Sequence, residues 1–319
     1  MLDWNHIPKA PIEPIQISGI NSEPGIWIYR DDERKIGSGF GAKAMSGNKL
    51  RKLWKNLEAA KRQQAPGLIT FGGAFSNHIA AVAGIGQVMN LPTLGIIRGD
   101  QLDELNPTLA YAASCGMQFQ FMDRQTYRQK HTPAFLQHLD QRYPNWYIIP
   151  EGGTNTPALQ GLWSILTDLE STFPNQELIL AISAGTAGSA AGLITAPANK
   201  RHRVRVYPAL KGQFIPKEIN RLIAEAALNA EHDWSVIPHY HFGGYARMKP
   251  ELKTFMEAFY LQTGIPLDPI YTGKMIFGVL EDVKAGHLNL GHKPIIMIHT
   301  GGLQGISGYN WLYGTHFSG

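Results

Sequence analysis

Short apolar, β-branched runs alternate with longer helix-like stretches along most of the chain, and several of the runs end in glycine. Gly67-Leu-Ile-Thr-Phe71 leads into Gly72-Gly73, with Ser76 or Asn77 placed to start a helix. Thr93-Leu-Gly-Ile-Ile97 precedes Asn106-Pro107, where asparagine suits an N-cap and proline the first helical position. Trp146-Tyr-Ile-Ile149 precedes a helix predicted from Pro157, and Leu178-Ile-Leu-Ala-Ile-Ser183 runs into a Gly/Ser/Thr stretch over 184–192. Val204-Arg-Val206 and Pro294-Ile-Ile-Met-Ile298 read as further strands. Such strand and helix alternation with short connections predicts an α/β fold on mainly parallel sheets. Residues 211–260 read as mostly helical, interrupted by an irregular stretch over 238–245.

A chain of 319 residues, 44% hydrophobic, is large enough to bury a sizeable core and to divide into two lobes. The net charge of +4 is scattered over pairs such as Arg51 with Lys52 and Arg201 with Arg205, with no long basic run. That distribution favours anionic small ligands over nucleic acid. The single cysteine, Cys115, excludes an intrachain disulfide and a cysteine-rich metal centre, and is expected as a small buried hydrophobe. His239 and His241 would share a face on a strand, but no His-Glu-x-x-His string accompanies them, so no metal is expected. The first eight residues lack a basic segment followed by an apolar one, and no apolar run approaches the roughly 18 to 20 residues of a membrane span. A cytoplasmic protein without a membrane partner is the expectation.

Four stretches carry candidate chemistry. Ser183-Ala-Gly-Thr-Ala-Gly-Ser-Ala-Ala-Gly192 follows a strand and opens a helix, so its small residues let backbone N–H groups converge on an anion. It lacks the Lys-Ser/Thr ending of a Walker loop and departs from the dinucleotide Gly-x-Gly-x-x-Gly spacing, leaving a phosphate cup or a tight packing turn. Ser46-Gly-Asn-Lys49-Leu-Arg-Lys-Leu53 sets a lysine after a glycine turn, at the start of an amphipathic helix through Leu53, Leu57 and Ala60. There the dipole lowers a lysine pKa toward a nucleophilic amine, although by itself the stretch also reads as a solvated basic face. Gly72-Gly-Ala-Phe-Ser76-Asn77-His78 presents a hydroxyl, an amide and backbone donors where a carboxylate could sit, or where Ser76 simply caps the helix. Leu267-Asp-Pro-Ile-Tyr271-Thr272-Gly-Lys274 puts a tyrosine and a threonine on a turn ahead of an apolar helix.

Together these strings resemble the fold type II, tryptophan-synthase-β-like family of pyridoxal 5′-phosphate (PLP) enzymes. More narrowly, they resemble its branch of 1-aminocyclopropane-1-carboxylate deaminases and D-cysteine desulfhydrases. The resemblance begins at Pro11-Ile-Glu-Pro-Ile and Ile26-Trp-Ile-Tyr-Arg-Asp-Asp32 and reaches His299-Thr-Gly-Gly302, with residues 120–145 and 211–240 least recognisable. It implies two three-layer α/β/α lobes, the smaller over 50–155 and the larger, cofactor-binding one over 1–49 and 156–319. It implies that Lys49 carries the cofactor and that Asn77 bonds its 3′-oxygen. The phosphate would rest on Gly185, Thr186, Ala187, Gly188 and Ser189. Ser76, Asn77 and His78 would receive the substrate carboxylate, and Tyr271 and Tyr245 would face the substrate.

At the ring nitrogen the deaminases carry a glutamate, whereas this chain has Thr272, as in the desulfhydrases. A hydroxyl hydrogen bond makes the ring a weaker electron sink than a carboxylate would, which favours elimination over cyclopropane opening. The implied activity is that of a homodimeric deaminating lyase or hydrolase of amino-acid metabolism, converting a small amino acid such as D-cysteine to pyruvate, ammonia and sulfide. A cyclopropane-opening deaminase, a PLP-dependent β-replacement synthase and a protein that binds PLP or a ligand without turnover are the alternatives. A nucleotide-binding oxidoreductase is excluded, because no acidic ribose-binding residue follows a proper glycine fingerprint.

Overall fold

The computed structural model describes residues 7–20, 25–288 and 291–317. The first six residues, on which the reading of the N-terminus largely rests, lie outside the described ones. In chain order the strands are β1 (Ile12–Pro14), β2 (Ile26–Arg30), β3 (Leu68–Gly73), β4 (Thr93–Arg98) and β5 (Gln118–Met122). They continue with β6 (Tyr147–Ile149), β7 (Ile179–Ala184), β8 (Arg203–Pro208), β9 (Asp233–Val236) and β10 (Ile295–His299). Six of them form one sheet in the order β1-β2-β10-β7-β8-β9, and four form a second in the order β5-β4-β3-β6. Every pairing is parallel except that of β1 with β2.

The continuous apolar runs have a direct physical reason. Successive strand residues point to opposite faces, and here both faces are covered. On one side of the larger sheet Leu180, Ile182, Ile296 and Ile298 pack with Leu166, Leu193 and Ile219. On the other, Ile179, Ala181, Ile295 and Met297 pack with Phe259, Ile276 and Leu280. The smaller sheet divides the same way, Leu68 and Ile97 facing Val82 and Leu57 while Ile69 and Ile96 face Tyr127 and Leu139.

Four strands lie where none was predicted, β1, β2, β5 and β9, and three of them, β1, β5 and β9, are sheet edges. The sequences of β5 and β9, Gln-Phe-Gln-Phe-Met and Asp-Trp-Ser-Val, alternate because an edge strand is only partly covered. His239 lies in a short 3₁₀ turn, Pro238–Tyr240, and His241 follows as its cap, so the strand geometry that would have paired them is absent. Among the described residues no group of three or more His, Cys, Asp or Glu could hold a metal ion, and no helix is long and apolar enough to cross a membrane. Cys115 is half-buried, because it sits at the exposed end of the helix Pro107–Ser114 rather than in a core.

Candidate active site

Within each sheet the parallel strands deliver their carboxyl-end loops to one edge, and two of the four candidate strings sit in such loops, while the one over 267–274 joins two helices. Ser76-Asn77-His78 follows β3, Gly152-Gly153-Thr154 follows β6, Gly185–Ser189 follows β7, and Thr300-Gly301-Gly302 follows β10. The helix Gly47–Arg62, which carries Lys49, is seated among them. Its first turn lies against the β10 loop: Asn48 N donates to Thr300 O at 3.1 Å. Gly47 adopts φ +60°, and a β-carbon there would lie 2.3 Å from the same carbonyl oxygen, so only glycine allows this approach. Asn48 Nδ2 also donates to Ser189 Oγ at 2.8 Å, joining the lysine's turn to the β7 loop.

The environment of Lys49 favours the unprotonated form of its amine, relative to an ordinary lysine. Burial pulls its amine down to about 8, with the Asp268 carboxylate pulling the other way. Roughly a tenth of such an amine is unprotonated at pH 7, against well under a thousandth for an ordinary lysine.

Lys52, one turn on, was legible only as part of a solvated face, yet it is 1% exposed. Its Nζ donates to Gly152 O at 3.1 Å, and a β-carbon on Gly188 would stand 3.1 Å from it. Burial, then the nearby Lys49, push its pKa well below the ordinary lysine value, and no acidic group offsets them. A buried amine whose charged form is disfavoured, beside a loop of small residues, calls for an anion, which would stabilise that charged form. The signal was in the spacing, because residues three apart share a helix face. Arg51 turns the other way, into a buried network. It donates to Asp31 Oδ1 at 2.8 Å, Ser164 Oγ at 2.5 Å, Asp168 Oδ2 at 3.2 Å and the Tyr29 hydroxyl. That network ties the lysine's helix to β2 and to the helix Ser164–Thr172.

Ser76 caps the helix Asn77–Met89, its oxygen accepting from His78 N at 3.2 Å and Ile79 N at 3.3 Å. Capping leaves its hydroxyl proton free to donate, so the cap and the ligand-binding readings are compatible. The Asn77 amide lies along the β10 loop, where a β-carbon on Gly302 would come 2.8 Å from its Nδ2. His78 behaves differently from expectation. Its ring is buried, with Nε2 2.8 Å from Thr70 Oγ1. Thr70 gives its own hydroxyl proton to Ile149 O, so Nε2 must carry the hydrogen of this contact. Nδ1 is therefore an acceptor, and it is buried without a partner. Burial, then Lys49 and Lys52, hold the ring pKa well below the ordinary value. With one nitrogen engaged and the other without a proton, the His78 side chain has nothing to offer a carboxylate.

The β7 loop turns sharply, with Ala187 at φ 58° before the helix Gly188–Ile194. Thr186 Oγ1 meets Thr154 Oγ1 at 3.0 Å, closing the loop against the one after β6. Tyr271 lies over Gly185, where a β-carbon would come 2.9 Å from its ring, and Tyr245 stands edge-on to it at 6.2 Å between centroids. Burial raises the pKa of both phenols, so each keeps its proton at neutral pH. Thr272 also departs from expectation. Its hydroxyl donates to Asp268 Oδ2 at 2.6 Å and accepts from Asp268 N at 3.0 Å. The carboxylate further takes the N–H groups of Ile270, Tyr271 and Thr272, at 2.7 to 2.9 Å. The hydroxyl proton, which the sequence reading offered to a ring nitrogen, is thus engaged elsewhere.

No protein-family model matches the chain. It is 28% identical to the bifunctional D-cysteine desulfhydrase/1-aminocyclopropane-1-carboxylate deaminase of Arabidopsis thaliana, over 94% of this chain and 78% of that one. It is 25% identical to the D-cysteine desulfhydrase of Salmonella paratyphi A, over 94% of each. A solved structure described as a 1-aminocyclopropane-1-carboxylate deaminase homologue superposes with a TM-score of 0.79 at 24% identity, covering 96% of this chain and 93% of that one. The architecture is that of the fold type II PLP enzymes. Among sequences, relatives matched at 25–29% identity over most of the chain are named as 1-aminocyclopropane-1-carboxylate deaminases and D-cysteine desulfhydrases, and this chain is similar to them.

Proposed function

We propose that the protein is a PLP-dependent lyase that deaminates a small amino acid, with D-cysteine as its preferred substrate, water entering and pyruvate, ammonia and sulfide leaving. The observation that carries this reading is the pairing of an amine of lowered pKa, Lys49, with a buried amine that has no acidic partner, Lys52, beside a small-residue loop. The residues fit the cofactor. Lys49 would hold its carbonyl carbon, and Lys52 with the backbone of Gly185–Ser189 its phosphate. Asn77 would meet the 3′-oxygen and Thr272 the ring nitrogen. When bound, the cofactor supplies an electron sink that stabilises negative charge at the substrate Cα.

The chain's own groups supply the proton traffic. The Lys49 amine would be the base placed to accept the substrate's Cα proton, as its lowered pKa suits. Ser76 donates its free hydroxyl hydrogen to the substrate carboxylate at the start of the helix Asn77–Met89. Tyr271, a protonated phenol, donates toward the departing thiolate, with Tyr245 against its ring. Two copies of the chain pair into a homodimer, for which the exposed Trp311, Leu312 and Tyr313 supply apolar surface. Each copy divides into lobes at 50–155 and at 1–49 with 156–319. The helix Gly47–Arg62 crosses that boundary and so couples Lys49 to both.

Assay of the purified protein with D-cysteine, L-cysteine, 3-chloro-D-alanine, D-serine and 1-aminocyclopropane-1-carboxylate tests the proposal. Sulfide and pyruvate from D-cysteine are expected at the highest kcat/KM, and 2-oxobutyrate from the cyclopropane as the better reaction would reverse it. Formation of a thioether from D-cysteine or O-acetylserine plus an added thiol, outpacing pyruvate, would instead mark a β-replacement synthase.

Asp268 refines the electronics. With its hydrogen on Asp268, Thr272 can offer the ring nitrogen only a lone pair, which suits a protonated nitrogen. Asp268→Asn retains an oxygen for Ile270 and Tyr271 but cannot accept from the Thr272 hydroxyl, which then turns donor. The expected result, read by ¹⁵N NMR of cofactor labelled at the ring nitrogen, is a protonated nitrogen in wild type and an unprotonated one in the variant. An unprotonated signal in wild type would remove Thr272 as an acceptor.

A further inference from the structure

The segment that carries Tyr245 follows a backbone path that it does not hold by itself. Phe242 (φ 52°), Gly243 (φ 95°), Gly244 (φ 121°) and Ala246 (φ 53°) all lie in the left-handed half of backbone space. For phenylalanine and alanine that region is disfavoured by the β-carbon, so something outside the loop must hold it. Lys274 does so. Rooted in the first turn of the helix Thr272–Lys284 and 2% exposed, it points its ammonium into the loop's main chain. Nζ donates to Gly244 O at 2.7 Å, to His241 O at 3.0 Å and to Ala209 O at 3.5 Å. An ammonium has three hydrogens, and three carbonyls receive them.

Burial draws this amine down to about 8 while Asp268 pulls it up, so the charged form dominates at pH 7. Charge-assisted hydrogen bonds to carbonyls in a buried setting are the strong kind. The loop's remaining hydrogen bonds are local or long: Gly243 N on His241 Nδ1 at 3.0 Å, Gly244 N on His241 O at 3.0 Å, Arg247 N on Gly244 O at 3.2 Å, and the Tyr313 hydroxyl on Ala246 O at 3.4 Å. The Phe242 ring, buried in the core, is its other tie to the body of the fold. Phe242 adds an edge-to-face contact with Phe277 at 5.0 Å.

We propose that Lys274 is a positioning residue, whose ammonium clamps the 241–247 loop by its carbonyls and thereby sets where Tyr245 stands against Tyr271. It acts through the loop, since its hydrogen bonds go to main-chain carbonyls. The consequence for turnover rests on the cleft being the active site, as proposed above; the clamp itself does not.

Hydrogen exchange on the protein as purified tests the clamp. In wild type the amides of Gly243, Gly244 and Arg247 are expected to be protected well beyond free-peptide rates. In Lys274→Met and Lys274→Ala they are expected to exchange at least about tenfold faster, with the strands of both sheets unchanged. Adding ammonium chloride to Lys274→Ala should restore protection, because the small cation fits among the three carbonyls; tetramethylammonium chloride should not. For D-cysteine the variants should show a KM raised about tenfold, kcat within about threefold, and the absorbance of bound PLP unaltered, again with ammonium rescue. Wild-type loop amides exchanging at free-peptide rates, or variants exchanging like wild type, overturn the clamp. If neither variant folds, the wild-type exchange alone decides. Protection and rescue as expected, without turnover of any amino acid by wild type, would leave the clamp standing and remove the function.

Discussion

Lys49→Ala yields a folded protein that stays colourless when mixed with PLP and turns over D-cysteine at least about a thousandfold more slowly than wild type. The size of the effect follows from the two tasks given to one amine, holding the cofactor and moving the Cα proton. Absorbance spectroscopy after gel filtration reads the first task, and pyruvate release reads the second. A variant that keeps both the visible band and full turnover would refute the assignment of Lys49. The pH dependence carries a sign that can be checked independently. Attack on an aldehyde needs the unprotonated amine, and burial lowers the Lys49 pKa to about 8. Uptake of PLP by the stripped protein should therefore quicken about tenfold per pH unit below 8 and level off above it. An unperturbed lysine would go on accelerating toward pH 10.

The second large effect is structural. Arg51→Met should lower the unfolding free energy by about 3–5 kcal/mol, because it leaves Asp31, itself fully buried, without its cation. Asp31 already has one oxygen without a partner, and burial raises its pKa even with Arg51 present. The double variant Arg51→Met/Asp31→Asn should recover a large part of the loss, since only Asp168, partly exposed and still bonded to the Tyr29 hydroxyl, is then without its cation. Chemical denaturation followed by circular dichroism gives both values. A single variant within about 0.5 kcal/mol of wild type would mean that the network carries no net charge pairing. PLP uptake should weaken alongside stability, because the same network fixes the helix on which Lys49 stands.

Most of the strands could be placed from the chain itself, for a physical reason. A strand covered on both faces needs an unbroken apolar run, and β3, β4, β7 and β10 have one. Helix starts were equally local: Asn106 takes the N–H groups of Thr108 and Leu109, and Ser76 those of His78 and Ile79, as their positions suggested. The edge strands β1, β5 and β9 carry no such run, whereas β2, with Ile26-Trp-Ile-Tyr29, carries one and still lies outside the predicted strands.

For the cleft, the sequence specified the reactive strings and the loops that hold them, because glycine turns and caps are written in neighbouring residues. It also specified the parallel topology, which alone sends those loops to one edge. Only the folded chain decided the state of each group. Lys52 became a buried amine without an acidic partner, Arg51 an anchor, His78 a ring with no proton to spare, and Thr272 a hydroxyl already committed to Asp268. Those outcomes depend on which carbonyl or carboxylate arrives from a distant segment, Gly152 for Lys52 or Thr70 for His78. Desolvation and pairing are set by three-dimensional neighbours, and no local pattern of residues encodes them.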